Sequence, residues 1–276
     1  MRQLNGSELA GYIKERQAKQ VRALRQSWKV IPKLAIIQTT DDPVIDIYVG
    51  LKKQYGQDVL VDVESHKVFQ AEVTGLINKL NTDETVHGII VQLPIEDPTQ
   101  TDEIVNTIDP AKDVDGLGKD ADYISATATS IDWLLNGYGV DLVGKDIAIV
   151  GTGRLVGAPL AKLWLESDYK VSTFDDDSKN MAEDLPNFGV IVCAAGVPGL
   201  VTSSMVKDNA VVVDAGTTAS ENGEVVGDVA ADVRERDDLS ITPEKGGVGP
   251  LTIAVLIDNV ITSARKVADA KGQQDL

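Results

Sequence analysis

The sequence predicts an α/β protein of two domains, on three observations. Its 276 residues are about twice the common domain length. Short apolar runs alternate with amphipathic runs of helical period from Lys33 onward, the pattern of a parallel sheet wrapped by helices. A glycine-rich turn, "IVGTGRLVGAPL", stands between a strand-like and a helix-like run near mid-chain, where a second unit begins.

The elements follow in order. A helix is expected from Ser7, which can cap it, with Leu9, Ile13, Val21 and Leu24 forming its apolar stripe. "KLAIIQT" (33–39) reads as a buried strand, followed by the acidic turn "DDPVID" and the helix "IYVGLKKQYG". "VLVDVES" (59–65) alternates as a strand, "FQAEVTGLINKLN" (69–81) has helical period, and "VHGIIVQLP" (86–94) is another apolar strand. "TDEIVNTID" (101–109) is a short helix before the polar loop "PAKDVDGLGKD". Near Gly144 the second unit opens with the strand "KDIAIVG", the helix "RLVGAPLAKLWLES" and the strand "YKVSTFD". "GVIVCAAG", "NAVVVDAG" and "LSITP" supply further strands. After "GGVGP" the chain ends in the long helical run "LTIAVLIDNVITSARKVADA", apolar enough to return to the first domain.

Composition narrows the function classes. Lysine and arginine number 26 against 43 acidic residues, a formal charge of −17. Such a surface repels nucleic acid and anionic membranes, so neither is an expected partner. Cys193 is the single cysteine, which excludes an intrachain disulfide and fits a reducing compartment. With only His66 and His87 there is no histidine-rich metal site, and no metal is expected. The N-terminus lacks the apolar core of a signal peptide and no segment reads as a membrane span, so a cytoplasmic protein is expected.

Four groups of residues carry the chemistry. Tyr48 and Lys52 are four apart, one turn of one helix face. Gln92 stands where a strand runs out, the usual place for ligand contacts in open α/β sheets, and Asp113 and Asp115 share the loop "KDVDG". Gly151, Gly153 and Gly157 form G-x-G-x-x-x-G, one residue longer than the usual dinucleotide fingerprint. Their strand–turn–helix context suits a pyrophosphate at a helix N-terminus. Asp175 ends the next strand, placed to accept from ribose hydroxyls. With Asp176 and Asp177 it disfavours a 2′-phosphate, so NAD is expected over NADP unless Arg154 reverses the balance.

"YVGLK", "GIIVQLP", "PAKDVDG", "GRLVGAPLA", "VVDAG", "GDV" and "ITPEKGGVGPLTIAVL" together resemble the bifunctional methylenetetrahydrofolate dehydrogenase–cyclohydrolase family of one-carbon metabolism, from about Leu34 to Asn259. The resemblance implies a folate and catalytic domain (1–125 plus 250–276), a linking helix (126–139), a Rossmann-like NAD(P)-binding domain (140–249), an active-site cleft between the domains, and a homodimer. It implies Lys52 as catalytic lysine, held by Tyr48 and Gln92, and Asp115 as the carboxylate that grips the pterin. Gly151, Thr152 and Gly153 fall on the nucleotide-binding triplet, and Thr217 beside the nicotinamide. Gly247, Pro250 and Thr252 lie in the substrate-side loop. The implied substrates are tetrahydrofolate derivatives, oxidised with NAD or NADP and then hydrolysed.

The chain departs from the family pattern in three places. The loop "LGKDADYISATATS" is shorter and keeps only Thr127 of the Pro-Cys-Thr-Pro element. Glu244 and Lys245 stand where the family has Val-Pro. Thr152 replaces an arginine that often binds a 2′-phosphate, which again favours NAD. Two alternatives follow from these departures: a monofunctional NAD-dependent dehydrogenase, and a non-catalytic paralogue that binds folate or dinucleotide.

Overall fold

A computed structural model describes residues 1–219 and 225–274. The chain divides into two compact units, one of Gly11–Ala126 with Ile253–Leu276, the other of Met1–Ala10 with Thr127–Thr252.

The elements of the first unit begin with α1 (Gly6–Ala23), which enters it at Gly11 and ends in a π-helical turn, Leu24–Trp28. Asn5, not Ser7, caps this helix: its Oδ1 accepts from the Glu8 amide at 3.2 Å. The Ser7 amide instead donates to the Gly246 carbonyl. Then follow β2 (Lys33–Gln38), α2 (Pro43–Val59), β3 (Asp62–Lys67), α3 (Gln70–Thr82), β4 (Gly88–Val91) and α4 (Thr101–Val105). The strands form a parallel sheet in the order β3-β2-β4. β2 and β4 are buried along almost their whole length, which explains their unbroken apolar runs. β3, at the edge, alternates. It starts later than the sequence suggests because α2 runs on to Val59 and closes with Leu60 in the left-handed region.

α9 (Val248–Gln274) joins this unit from Ile253 on. Gln17 is fully buried, and its Nε2 donates to the Ala254 carbonyl (2.8 Å) while its Oε1 accepts from the Tyr55 hydroxyl (2.8 Å). One satisfied amide thus ties α1, α2 and α9 together. A 25-residue stretch of α9 does have the length and composition of a membrane span, contrary to the sequence reading. Yet 61% of its apolar window is buried inside the protein, as in a core helix.

His87 lies just before β4, 3% exposed, its Nδ1 accepting from the Lys33 amide. Burial, with the charges of Lys112, Lys271 and Lys33, pushes its pKa down to about 4 from 6.5. The folded state therefore holds the neutral ring, whose stabilising contribution is complete above pH 6.5 and is lost as the pH falls toward 4. Melting curves across that window should show a steep acid loss in the wild type and a shallower one in His87→Gln; parallel curves would remove His87 from the acid response.

The second unit opens with β1 (Arg2–Gln3), which pairs in parallel with β11 (Ser240–Ile241). This pairing places Arg2 and Gln3 on the edge of the second unit's sheet, and a two-residue strand leaves no periodicity to read. α5 (Ala126–Gly137), expected as a linking helix, belongs here as well: Asp132 accepts from the indole Nε1 of the fully buried Trp164 at 3.0 Å. β5 (Asp146–Val150), α6 (Gly157–Glu166), β6 (Lys170–Phe174), α7 (Met181–Asp184), β7 (Val190–Cys193), β8 (Val211–Asp214), the antiparallel pair β9 (Thr218–Ala219) and β10 (Val225–Val226), and α8 (Ala231–Arg234) complete the unit. The six-stranded sheet is parallel throughout, in the order β1-β11-β8-β7-β5-β6. Chain order reverses between β5 and β7, so the loops that follow these two strands flank the switch point where such sheets bind ligands.

Candidate active site

Each unit carries its own set of candidate residues. In the first, Asp42 caps α2 by accepting from the Val44 amide at 2.7 Å, with Pro43 supplying the first helical residue. The helix presents Lys52 toward the end of β4, where the Gln92 amide continues the ladder by donating to the Ile37 carbonyl. Lys52 Nζ donates to Gln92 Oε1 at 2.6 Å. Burial lowers the pKa of this ammonium, and the nearby Asp115 carboxylate partly offsets the shift. Asp115 is pushed up to about 6 by burial, against the pull of Lys52 and with a further push from Asp113.

Asp113 does a different job. It is 2% exposed; its Oδ1 accepts from the Gly116 amide (3.1 Å) and its Oδ2 from the Gly118 amide (2.7 Å). Gly116 takes φ +67°, and a Cβ there would lie 2.6 Å from the backbone of Ile124 and Ser125. The loop is stitched onto β4 through Ile89↔Asp113, and Asn259 of α9 donates to the Val114 carbonyl at 2.9 Å. Asp115 is therefore held by a built turn. The spacing D-x-x-G carries that signal in the sequence.

One expected contact is not formed. The Tyr48 hydroxyl makes no hydrogen bond to Lys52; among the described residues Gln92 alone accepts from the ammonium. Tyr48 is half-buried one turn before Lys52, and burial raises its pKa. Gly247, Pro250 and Thr252 fall in the second unit, at the start of α9. Thr252 is turned into helix packing, its hydroxyl 3.0 Å from Ser130 Oγ and donating to the Val248 carbonyl.

In the second unit the glycine turn follows β5. α6 begins only at Gly157, three residues later than the sequence suggests, so Thr152, Gly153 and Arg154 stand exposed ahead of the helix. A Cβ at Gly151 (φ +95°) would lie 2.4 Å from the Ala194 carbonyl oxygen, and one at Gly157 only 1.8 Å from that of Gly151. The backbone is packed as a cradle that side chains would fill, which fits a pyrophosphate at the N-terminus of α6. Asp175 follows β6 directly and is exposed, its Oδ1 accepting from the Asp177 amide (3.1 Å) and the Ser178 hydroxyl (3.0 Å). Asp176 is exposed beside it, and Thr217 is exposed after β8. Among the described residues no group of acidic, histidine and cysteine side chains is arranged to hold a metal.

Two family descriptions match this chain: the catalytic domain of tetrahydrofolate dehydrogenase/cyclohydrolase over residues 4–115, and its NAD(P)-binding domain over residues 125–268. The chain belongs to the tetrahydrofolate dehydrogenase/cyclohydrolase family. A relative in Sulfurovum sp., "Bifunctional protein FolD", is 34% identical over 97% of this chain and 100% of its own. The crystal structure of the bifunctional FolD enzyme from Campylobacter jejuni superposes with a TM-score of 0.90 at 34% identity, covering 96% of this chain and 99% of that one. The Trypanosoma brucei enzyme, complexed with NADP and an inhibitor, gives 0.88 at 29% identity over 95% and 96%. In family terms, Lys52, Gln92 and Asp115 lie in the catalytic unit and the glycine turn lies in the NAD(P)-binding unit.

Proposed function

We propose that the chain oxidises 5,10-methylenetetrahydrofolate to the 5,10-methenyl compound with NAD(P), and hydrolyses that product to 10-formyltetrahydrofolate. The observation that carries this reading is the Lys52–Gln92 hydrogen bond of 2.6 Å beside a carboxylate whose pKa is pushed up to about 6. NAD(P), when bound, supplies the hydride acceptor. The chain's own residues do the rest. Asp115 accepts N–H groups of the pterin edge, so a ring without those donors would leave a buried carboxylate unpaired. Orientation dominates the oxidation, because the product is a stabilised cation and little acid–base work is needed. In the hydrolysis, a water oxygen bonds to the methenyl carbon as the C=N π pair returns to nitrogen, and the water's proton passes to the Lys52 amine. The ammonium so formed gives a proton to N5 as the C–N5 bond breaks, and the carbinol hydroxyl loses its proton to solvent to leave the formyl group on N10. Burial lowers the pKa of that amine, which favours its neutral form, and Gln92 aims it. Tyr48 contributes packing and a half-buried hydroxyl one turn away. Initial rates of both reactions with each nucleotide test the reading; methenyltetrahydrofolate accumulating without formyl product would instead favour a monofunctional dehydrogenase.

NAD is the preferred cofactor on this reading. Asp175 is fixed by its own turn with Oδ2 left over, suited to a ribose hydroxyl and repellent to a 2′-phosphate. Thr152 offers no cation in its place. Asp175→Ser combined with Thr152→Arg should raise kcat/KM for NADP relative to NAD by ~10-fold or more. An unchanged ratio would mean that the ribose is read elsewhere.

A further inference from the structure

The loops after β7 and β8 are held by two buried carboxylates that none of the chemistry above uses. Asp228 is fully buried, and its Oδ2 accepts from the amides of Ala195 (2.6 Å) and Gly196 (3.1 Å), in the turn after β7. Its Oδ1 is buried without a hydrogen-bond partner. A Cβ on Gly216 would lie 2.2 Å from that Oδ1, so only glycine lets the carboxylate lie against the loop that carries Thr217.

Asp214, at the end of β8, anchors Asp228 in turn. Its Oδ1 accepts from the Asp228 amide (3.0 Å) and its Oδ2 from the Val229 amide (3.2 Å), while Arg234 supplies the counter-charge at 2.6 Å. Gly227 permits this contact, since a Cβ there would lie 2.1 Å from Asp214 Oδ2. The Val201 amide donates to the Asp228 carbonyl, and Ala230 donates back to Val201. The missing Cβ of Gly151 would fall 2.6 Å from Ala195 Cα, so the turn that Asp228 grips is packed directly on the glycine turn at the switch point.

We propose that Asp228 is a positioning residue for the cofactor: by holding the Ala195–Gly196 turn against Gly151 and lying on Gly216, it sets the backbone that receives the nicotinamide half of NAD(P). This rests on the NAD(P) reading above. Asp228 acts only through backbone, so its loss should weaken nucleotide binding and spare a reaction that needs no nucleotide. Removing the carboxylate takes the shared acceptor from the part-buried amides of Ala195 and Gly196, which frees the turn to shift.

The test uses Asp228→Ala and the isosteric Asp228→Asn in the full-length protein. Calorimetric Kd values for NAD and NADP should rise by roughly ten- to a hundredfold in the alanine variant and less in the asparagine variant, which keeps an acceptor. The dehydrogenase KM for nucleotide should follow Kd, with kcat changed less. Hydrolysis of supplied methenyltetrahydrofolate should stay within about twofold of wild type. Nucleotide Kd values within about twofold of wild type in both variants would overturn the proposal, and so would parallel loss of binding and hydrolysis in both, which is the mark of a purely structural residue. Should the wild type bind neither nucleotide, the NAD(P) reading fails first and takes this inference with it.

Discussion

Lys52→Met should abolish the hydrolysis of methenyltetrahydrofolate, by ~10²-fold or more, while the protein still folds. Methionine matches the lysine stem in length and packs where the stem packs, so the cost to stability is small. The part-buried ammonium carries a desolvation cost, the cause of its lowered pKa, and an apolar side chain in its place relieves that cost. Two neighbours feel the loss. Gln92 Oε1 loses its donor at 2.6 Å, and Asp115 loses the positive charge that restrains its rise to about 6. Asp115 should therefore titrate higher still in the variant, and folate affinity should fall as the pH drops through that range. The wild-type hydrolysis rate should climb with pH as the amine loses its proton, and the variant should lack that limb. A methionine variant that hydrolyses at the wild-type rate would take Lys52 out of the mechanism.

Much of this arrangement is legible in the sequence, and what is not has identifiable causes. β2 and β4 are readable because burial on both faces demands continuous apolar runs. The body of α2 is readable from the amphipathic run "IYVGLKKQYG", but its start is not: the stretch read as an acidic turn, "DDPVID", holds the cap Asp42 and the first helical turn from Pro43, with Ile45 buried. Tyr48, Lys52, Gln92 and Asp115 are found through the family resemblance; their spacing alone gives only a face, a strand end and a loop. What the sequence hides is set by tertiary contact. β1 exists only because β11 is there to pair with it. Asn5 takes the cap because α1 already starts at Gly6, which puts Ser7 inside the helix, its amide donating to Gly246, a residue far away in the chain. Asp214 and Asp228 read as ordinary polar residues in "VVDAG" and "GDV"; their burial follows from two glycines that let carboxylates lie on bare backbone.

Gly157→Ala is expected to be the most damaging single methyl group in the nucleotide unit. Its Cβ would meet the Gly151 carbonyl oxygen at 1.8 Å, the Gly151 carbonyl carbon at 2.8 Å and Thr152 Cα at 3.2 Å. All three are backbone, so no side chain can swing aside; either α6 backs away from the sheet or the turn after β5 is pushed out. Gly157 is not in the left-handed region, so the requirement is close approach rather than conformational freedom. Overpacking of this kind costs on the order of 1–3 kcal/mol, and here the strain falls on the turn proposed to receive the pyrophosphate. Nucleotide affinity should fall by roughly a hundredfold with a lowered melting temperature. Gly153 supplies the contrast, because a Cβ there meets nothing within 4 Å. Gly153→Ala should leave the melting temperature unchanged. Any loss of nucleotide affinity in it then reports the ligand's own close approach to that backbone, separating the glycine that builds the turn from the glycine that the phosphate needs. Equal melting temperatures for the two variants would show that α6 absorbs the methyl group and that the third glycine is not what fixes the turn.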